Sequence, residues 1–325
     1  MQMSVFMKAQ NGSRRIVVLG GMNMDIVAEA GEMPGIGEYI YGKRLHFIAG
    51  GNGLNQAVAA ARLGGSVSCI GFVGDDGFGK ELVAFLKNEK VDTRHVSTIR
   101  DINSGSVLYL LVNKEERHVV FTGGNMKAEA GAVENIEILP SDIVTSVLTV
   151  SQEVISVLFS KAREVGAKTI LNVFPNDDIM DGLLELADYV ILNEVELAFR
   201  TGDTEFAKKQ HKDLHMGGDE ILKLVKRFRA REDQTVIVTL AERGAAGISG
   251  ESITWVEGRR VKFVDATGAG DCFLGAFATA LSEGKNFKDA MEFANAAAAI
   301  SVQTIGATTS FPGREEVNSL IAGNK

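Results

Sequence analysis

From residue 141 onward, short apolar runs alternate regularly with segments whose apolar residues recur at helical spacing. The apolar runs lie at 143–150, 169–173, 189–192 and 235–239, and the helical segments at 154–165, 178–186 and 219–228. Parallel strands produce this order, because the connection between two of them must cross over the sheet and usually contains a helix. The alternation therefore predicts an α/β fold with a doubly wound, mainly parallel sheet. A chain of 325 residues is long enough for such a domain, which we place at 14–325.

Composition excludes several classes of partner. The chain is 45% hydrophobic and carries a net charge of −8, which argues against binding a nucleic-acid backbone. The two cysteines, Cys69 and Cys272, cannot form a disulfide framework, so we expect a reducing compartment, the cytoplasm. No apolar run approaches the ~18–20 residues of a membrane span, so no membrane partner is expected. Residues 1–13 lack the apolar core of a signal peptide and are expected to form a disordered tail.

The segment 261–279 reads VKFVDATGAGDCFLGAFAT, an apolar run followed by a small-residue turn and an apolar helix. Glycines in such a turn let backbone N–H groups face a ligand, and the helix N-terminus favours an anion. Asp271 begins the helix, where its carboxylate would repel a bound phosphate. A general base belongs there, since it must contact the hydroxyl that attacks phosphorus. The alternative is a helix cap, but Asp265, Gly268 and Gly270 in the same turn favour the base.

Polar residues also follow the first predicted strand, 16–19. Asn23 and Asp25 come just after it, where open α/β sheets place ligand-binding side chains, although an Asx-turn is an equal alternative. The stretch 49–57, AGGNGLNQA, then leads into an alanine-rich helix. Its Asn52 and Asn55 offer paired donors and acceptors to hydroxyl groups.

Residues 28–47 and 106–121 alternate between apolar and polar side chains, which predicts strands outside the main sheet. We expect them to form a small β-sheet lid that excludes water from the site. The lid aromatics could stack a nucleobase, but core packing is the favoured interpretation, because half of each lid strand faces inward. These aromatics are Tyr39, Tyr41, Phe47 and Phe121.

Two other patterns are rejected as sites. Residues 74–81, GDDGFGKE, nearly match a Walker A loop, but Glu81 replaces the required Ser/Thr and two aspartates would face the phosphates. We interpret this stretch as a turn and the capped start of a helix at 78–89. His211 and His215 have zinc-binding spacing but no third ligand, so a solvated face within a surface insertion at 201–219 is favoured.

The turn 265–271, DATGAGD, closely resembles the C-terminal signature of the PfkB (ribokinase-like) carbohydrate kinases, and 50–55 resembles their N-terminal signature. The resemblance covers about 16–311, with both motifs in the expected order. It implies a ribokinase-like fold, ATP-dependent phosphorylation of a sugar hydroxyl, and a homodimer formed through the lid.

The resemblance also implies roles for individual residues. Asp271 would be the base, with the backbone amides of Gly268, Ala269 and Gly270 stabilising charge on the transferred group. The sugar site would comprise Asn23, Asp25, Gly50, Gly51, Asn52, Asn55 and Asp271. ATP would contact Asn193, Thr239, Ala241, Gly244, Gly268, Gly270 and Asn295.

Two cation sites complete the expectation. Asn193 and Glu196 follow a predicted strand, and their oxygens could hold Mg²⁺ through water, although a helix start with acidic residues is the alternative. The N-x-x-E element of the family favours the metal. The resemblance further implies a potassium-like ion held by Asp265 and Thr267 together with the late loop residues Ile305 and Ser310.

The substrate remains open at this point. Asn52 stands where a ribokinase is expected to carry Lys, which leaves the exact sugar undecided between ribokinase-like and fructokinase-like substrates. A nucleoside (adenosine-type) kinase is the alternative within the family. A catalytically silent, sugar-sensing regulatory protein is the alternative of another class, although an intact Asp271 argues against it. A dinucleotide-binding oxidoreductase is excluded, because Gly20-Gly21 is followed by Met22-Asn23 rather than G-x-G-x-x-G.

Overall fold

The computed structural model describes residues 14–113, 116–123, 130–174, 178–203 and 216–323, without the side chains of residues 116, 117 and 130. The predictions for residues 1–13, for His211 and His215, and for most of the 201–219 insertion fall outside these ranges. No helix in the described ranges combines the length and apolar character needed to cross a membrane.

A nine-stranded sheet forms the centre of the described chain, in the order β13-β12-β11-β10-β9-β8-β1-β4-β5. Its strands are β1 Arg15–Leu19, β4 Ser66–Gly74, β5 Asp92–Ile99, β8 Ile143–Val147, β9 Lys168–Asn172, β10 Tyr189–Asn193, β11 Thr235–Thr239, β12 Gly244–Ser249 and β13 Ser252–Glu257. Along the sheet, each pair of neighbouring strands from β5 through β4, β1, β8, β9 and β10 to β11 is parallel. β12 and β13 add two antiparallel strands at the other edge. The predicted mainly parallel sheet is confirmed. The predicted helix at 178–186 is wrong, because Gly182 adopts φ of 79° and the segment forms only a 3₁₀ turn at Leu184–Leu186.

Helices cover both faces of this sheet. They are α1 Asn52–Arg62, α2 Gly77–Asn88, α3 Gln152–Val165, α4 Glu194–Arg200, α5 Gly218–Phe228, α6 Ala269–Ser282, α7 Phe287–Ser301 and α8 Arg314–Ala322. Alternate residues of β1 enter different cores: Ile16 packs with side chains of α1, α2 and α6–α8, whereas Val17 packs with those of α3–α5. Because both faces of each parallel strand are buried, the sequences of these strands are continuous apolar runs.

A second, four-stranded sheet has the order β3-β2-β6-β7, from β2 Asn23–Ala30, β3 Arg44–Gly50, β6 Gly105–Val112 and β7 Glu116–Thr122. We call it the small sheet. It begins earlier than the sequence suggests, since Asn23 pairs with Gly50 and Gly105 and so lies within a strand rather than a turn. Residues 38–43 lie outside any strand, after a segment rich in glycine and proline.

The interpretation of the four aromatics predicted for the lid as core residues is wrong. Tyr39 and Tyr41 are 96% and 101% exposed, because the segment that carries them forms no strand. Phe121 is 71% exposed, and Phe47 is half exposed with its ring 6.0 Å from that of Phe78 in α2.

The segment that resembles a Walker A loop is a capped helix start, as predicted. α2 begins at Gly77, and the carboxylate of Asp76 accepts a hydrogen bond from the N–H of Gly79 at 2.7 Å. The other carboxylate oxygen of Asp76 accepts from the N–H of Ser104 at 2.8 Å. Asp76 therefore joins α2 to the segment that leads into β6.

Candidate active site

The turn before α6 presents the start of the helix to a cleft. Gly268 precedes the helix with φ of 78°, and a Cβ at this position would lie 2.6 Å from the Cβ of Ala307, so only glycine fits. The N–H groups of Gly270 and Asp271 lie in the first turn and have no acceptor four residues earlier in the helix. The N–H of Ala269 donates to the carbonyl of Ala266 at 3.1 Å. Of the predicted amides, that of Ala269 is therefore already used within the turn, whereas the N–H of Gly270, together with that of Asp271, is available to an anion.

Helix α1 brings the predicted asparagines to Asp271. Its start packs directly on the end of β1, since a Cβ on Gly53 would lie only 2.4 Å from the Cα of Gly20. Asn52 Nδ2 then donates to the two carboxylate oxygens of Asp271 at 3.2 and 3.3 Å, and Asn55 Nδ2 donates to Oδ2 at 2.9 Å. No side chain caps α6, so Asp271 is not the helix cap that its position allowed.

Two further residues at this site were missed by the sequence analysis. Gln56 Nε2 donates to Asp271 Oδ1 at 3.0 Å, and Asn172, the last residue of β9, lines the same cleft. A signal for each existed: Gln56 is a polar residue at the start of an alanine-rich helix, and Asn172 ends an apolar run. Residues at the carboxyl ends of parallel strands are where such sheets bind ligands.

Asp271 is buried, with 5% of the residue exposed. Burial raises its pKa above the ordinary value, and the hydrogen bonds donated by Asn55, Gln56 and Asn52 oppose this rise because they favour the charged form. The amides thus lower the free-energy cost of burying an ionised carboxylate. A general base must be ionised to accept a proton.

The predicted sugar residues outside α1 lie where the small sheet meets the body. Gly51 precedes α1, and the preceding Gly50 ends β3 beside Asp25 of β2. Asp25 Oδ1 and Asn55 Oδ1 are buried acceptors with no hydrogen-bond partner in the described residues. Burial raises the pKa of Asp25 to about 7. Buried acceptors of this kind are satisfied by a ligand that brings O–H donors.

The cleft in front of Asp271 contains most of the residues predicted for catalysis and the nucleotide. It is lined by Asn52, Asn172, Phe174, Ile191, Leu192, Asn193, Glu196, Thr239, Gly268, Gly270 and Asp271. Asn193 and Glu196 form a capping box at the start of α4, with hydrogen bonds of 2.8 and 2.7 Å. Burial raises the pKa of Glu196 to about 7, against the opposing effect of these hydrogen bonds. The interpretation of Asn193 and Glu196 as a helix start is thus compatible with their interpretation as a Mg²⁺ site, because the start of α4 faces the cleft.

The remaining predicted nucleotide residues lie at the edge of the main sheet. Ala241 adopts φ of 51°, a conformation that favours glycine, and Gly244 adopts φ of 98°. Asn295 of α7 is buried, and its Nδ2 donates to the carbonyl of Glu257 at 2.9 Å. Arg243 lies between Ala241 and Gly244 in the sequence and pairs with the buried carboxylate of Glu194. This pair ties the 241–244 turn to the start of α4.

The predicted monovalent-cation residues adjoin one another. Asp265 Oδ1 accepts from the N–H and hydroxyl of Thr267 at 3.1 and 2.7 Å, and Asp265 Oδ2 accepts from the N–H of Gly306 at 2.9 Å. Ser310 lies in the same late loop, where its hydroxyl donates to the carbonyl of Ala307 at 2.9 Å. The side chain of Ile305 is aliphatic and has no ligand atom, so only its backbone carbonyl could serve an ion. Within the described ranges no group of three His, Cys, Asp or Glu is placed to hold a metal, but carboxylate, hydroxyl and carbonyl oxygens suit a hard cation.

Comparison with known proteins agrees with this geometry. A ribokinase from Haemophilus influenzae is 33% identical over 306 residues, which cover 93% of this chain and 97% of that protein. A ribokinase from Schizosaccharomyces pombe is 33% identical over 315 residues, covering 93% and 96%. The structure of Arabidopsis thaliana ribokinase complexed with ribose and ATP has a TM-score of 0.82 and 29% identity over 95% of this chain and 99% of that one.

These matches confirm the predicted ribokinase-like fold, since the similarity extends over nearly the whole length of both chains. Residues 13–314 also match the sequence family described as "pfkB family carbohydrate kinase". The chain therefore belongs to the pfkB family of carbohydrate kinases.

Proposed function

We propose that this ATP-dependent carbohydrate kinase phosphorylates the primary hydroxyl of a neutral sugar, with ribose as the first candidate. The observation that carries the proposal is the position of Asp271, which faces the cleft beside the glycine turn and is held by amides of α1. A sensor would bind its sugar without needing a carboxylate at this place. Ribose is the first candidate because the Haemophilus relative is a ribokinase and the Arabidopsis structure contains ribose and ATP.

In the proposed reaction, the sugar hydroxyl oxygen attacks the γ-phosphorus of ATP while Asp271 accepts the hydroxyl proton. The new O–P bond forms as the bond to the leaving ADP oxygen breaks. The N–H groups of Gly270 and Asp271, at the start of α6, would stabilise charge on the transferred phosphoryl group. Ala269 would contribute through the shape of the turn, since its N–H is already bonded to Ala266.

The residues present fit the cations that the family implies. The side chains of Asn193 and Glu196 lie in the cleft with oxygens that suit Mg²⁺ through bridging water. Bound Mg²⁺ supplies neutralisation of the phosphate charge. Asp265, Thr267, Ile305 and Ser310 would hold a K⁺-like ion beside the turn, in a loop already joined by the bond from Gly306 to Asp265.

The charge of the site favours a neutral sugar. Its sugar side carries the carboxylates of Asp25 and Asp271, and Asn52 supplies an amide where a ribokinase is expected to supply a cation. Two buried acceptors, on Asp25 and Asn55, have no hydrogen-bond partner in the described residues and would accept from sugar hydroxyls. A substrate anion would meet these groups without a compensating charge.

The small sheet is proposed as both a lid and a dimer surface. Phe47, Leu108 and Val120 lie in one cross-strand row, joined through Ile26, and are 52%, 44% and 56% exposed. A second copy of the sheet would bury this row. We further propose a cytoplasmic location, since the free thiols of Cys69 and Cys272 suit a reducing compartment.

The test is an ADP-release assay with ribose, fructose, adenosine, 2-keto-3-deoxygluconate and fructose 6-phosphate. We expect a neutral sugar to have the highest kcat/KM and ³¹P NMR to show a primary phosphate ester. Adenosine as the best substrate would support the nucleoside kinase instead. No turnover with any acceptor, together with tight sugar binding, would support the silent sensor.

A further inference from the structure

Gln56 contacts the proposed base but does not itself line the cleft. Its side chain is fully buried, and its Nε2 lies 3.0 Å from Asp271 Oδ1 and 3.4 Å from Asn172 Oδ1. Its Oε1 is a buried acceptor without a hydrogen-bond partner in the described residues. A buried unpaired acceptor is destabilising, so packing alone gives no reason for an amide at this position.

The orientation of this amide is determined by its neighbours. Asn172 Nδ2 donates to the carbonyl of Ile191 at 3.1 Å, which directs Asn172 Oδ1 toward Gln56. If the amide of Gln56 were turned over, its Oε1 would face two acceptors, Asp271 Oδ1 and Asn172 Oδ1. Gln56 can therefore only donate at this site, and the main sheet fixes that donor through Asn172.

The amides of α1 do not all have the same access to substrate. Asn52 lines the cleft and makes the longest bonds to the carboxylate, at 3.2 and 3.3 Å, so an incoming hydroxyl can displace it. Gln56 is fully buried and does not line the cleft. It can act on the reaction only through Asp271.

We propose that Gln56, held by Asn172, is a positioning residue that fixes the carboxylate plane of Asp271 and keeps this base ionised. The inference rests on the proposed role of Asp271 as the base. Misplacement of a reacting group by about 1 Å can lower a rate on the order of 100-fold, so a single buried donor can have a large effect on turnover.

The groups that face Asp271 allow its titration to be separated from others. Those on α1 are uncharged amides, and its neighbour Cys272 stays neutral because burial raises the thiol pKa to about 12. Glu196 lies in the same cleft, and Asp25 lies on β2 beside α1; both have pKa values of about 7. Gln56 contacts neither carboxylate, so a change at Gln56 shifts only the part of the pH profile that belongs to Asp271.

The test is the pH profile of kcat for Gln56→Met at saturating sugar and ATP. Methionine fills the space but donates nothing, so the pKa of Asp271 should rise and the acid limb should move up by about one pH unit or more. We expect kcat at pH 7 to fall about tenfold or more, with both KM values changed less than about threefold.

Gln234→Met is the matched control. Gln234 is also fully buried, and its Nε2 donates to the carbonyls of Leu184 and Ala187 far from the cleft. Its variant should lose thermal stability while keeping the wild-type acid limb. An unshifted acid limb in Gln56→Met would overturn the inference, whatever its stability or kcat.

Two further variants keep the inference testable. If Gln56→Met does not fold, Gln56→Glu replaces it, because glutamate keeps the shape of the side chain but donates a hydrogen bond only while it is protonated. The kcat of Gln56→Glu should therefore fall at pH values where the wild type is on its plateau. A pH profile like that of the wild type would overturn the inference. Wild-type turnover in Asp271→Asn would show that the base assignment itself is wrong. An inactive Asp271→Asn with an unshifted acid limb in Gln56→Met would refute only the role of Gln56.

Discussion

Asn55 and Asp271 are 216 positions apart in the chain, yet Asn55 Nδ2 lies 2.9 Å from Asp271 Oδ2. The contact joins the first turns of α1 and α6, so each signature motif supplies one partner. A hydrogen bond to a charged group in a buried site is stronger than one in water. The two motifs are therefore parts of one site, in which an amide of the first favours the charged form of the carboxylate in the second.

We expect Asp271→Asn to fold and bind ATP while kcat falls about 10²–10⁴-fold, the usual effect of losing a general base. Asparagine keeps the shape but cannot accept the hydroxyl proton. Steady-state kinetics and ATP titration calorimetry measure both quantities. Asp289→Asn is the control, because Asp289 also lies in the first turn of a helix but is exposed. Equal turnover in the two variants would contradict the assignment.

The sugar KM should fall as pH rises through about 7. Burial raises the pKa of Asp25 to about 7, so the free enzyme carries this group protonated at lower pH. Sugar hydroxyls that donate to the carboxylate favour its charged form, so sugar binding releases a proton. Measurement of KM from pH 5.5 to 8.5 tests this, and Asp25→Asn should abolish the dependence. A wild-type KM that is constant over this range would refute the prediction.

The same group affects the stability of the enzyme without sugar. The pKa of Asp25 is raised from 3.8 to about 7, so the protonated form is favoured by folding. Its contribution to the free energy of unfolding is full below pH ~4 and is lost as pH rises to ~7. Denaturant titrations of wild type and Asp25→Asn at pH 5 and pH 7.5 should therefore diverge most at the higher pH, with the variant more stable. Parallel stability changes in the two proteins would contradict the assignment.

Activity should be higher in K⁺ than in Na⁺ at fixed ionic strength. The carboxylate of Asp265 joins Thr267 to Gly306 and so links the two parts of the proposed cation loop. An ion bound there would order the turn that begins α6 and lower the barrier to transfer. Initial rates in chloride salts of each cation measure the effect, and Asp265→Asn should reduce the difference. Equal rates in the two salts would contradict the proposed monovalent-cation site.

Neutral acceptors should exceed sugar acids and sugar phosphates by about tenfold or more in kcat/KM, because an unpaired buried anion is costly. Asn52→Lys should narrow this gap, since it places a cation beside the substrate. Asn88→Lys, at the exposed end of α2, is the control for the added charge. An anionic substrate that leads in the wild type would point to basic groups near the small sheet, with Lys43, Arg44 and Arg117 the first to be replaced.

The sequence by itself determined the alternating strands and helices that build much of the main sheet, and the glycine turn before α6, but not the turn structure at 178–186. Apolar periodicity marks strands and helices because each element must bury one face or both. Gly268 and Asp271 were identifiable because a tight turn before a helix requires particular residues at fixed spacing. The start of α4 was visible for the same reason, since Asn193 and Glu196 bond to each other's backbone within one turn.

Only the tertiary structure decided which polar groups meet. Gln56 and Asn172 are 116 positions apart, and nothing local to either predicts their contact. Asn23 became a strand residue because its partners, Gly50 and Gly105, come from distant parts of the chain. Tyr39 and Tyr41 are exposed because the segment that carries them joins neither sheet, which their own alternation did not reveal. Local patterns fix which groups a segment can offer, whereas the identity of a buried partner depends on packing between segments that the sequence separates.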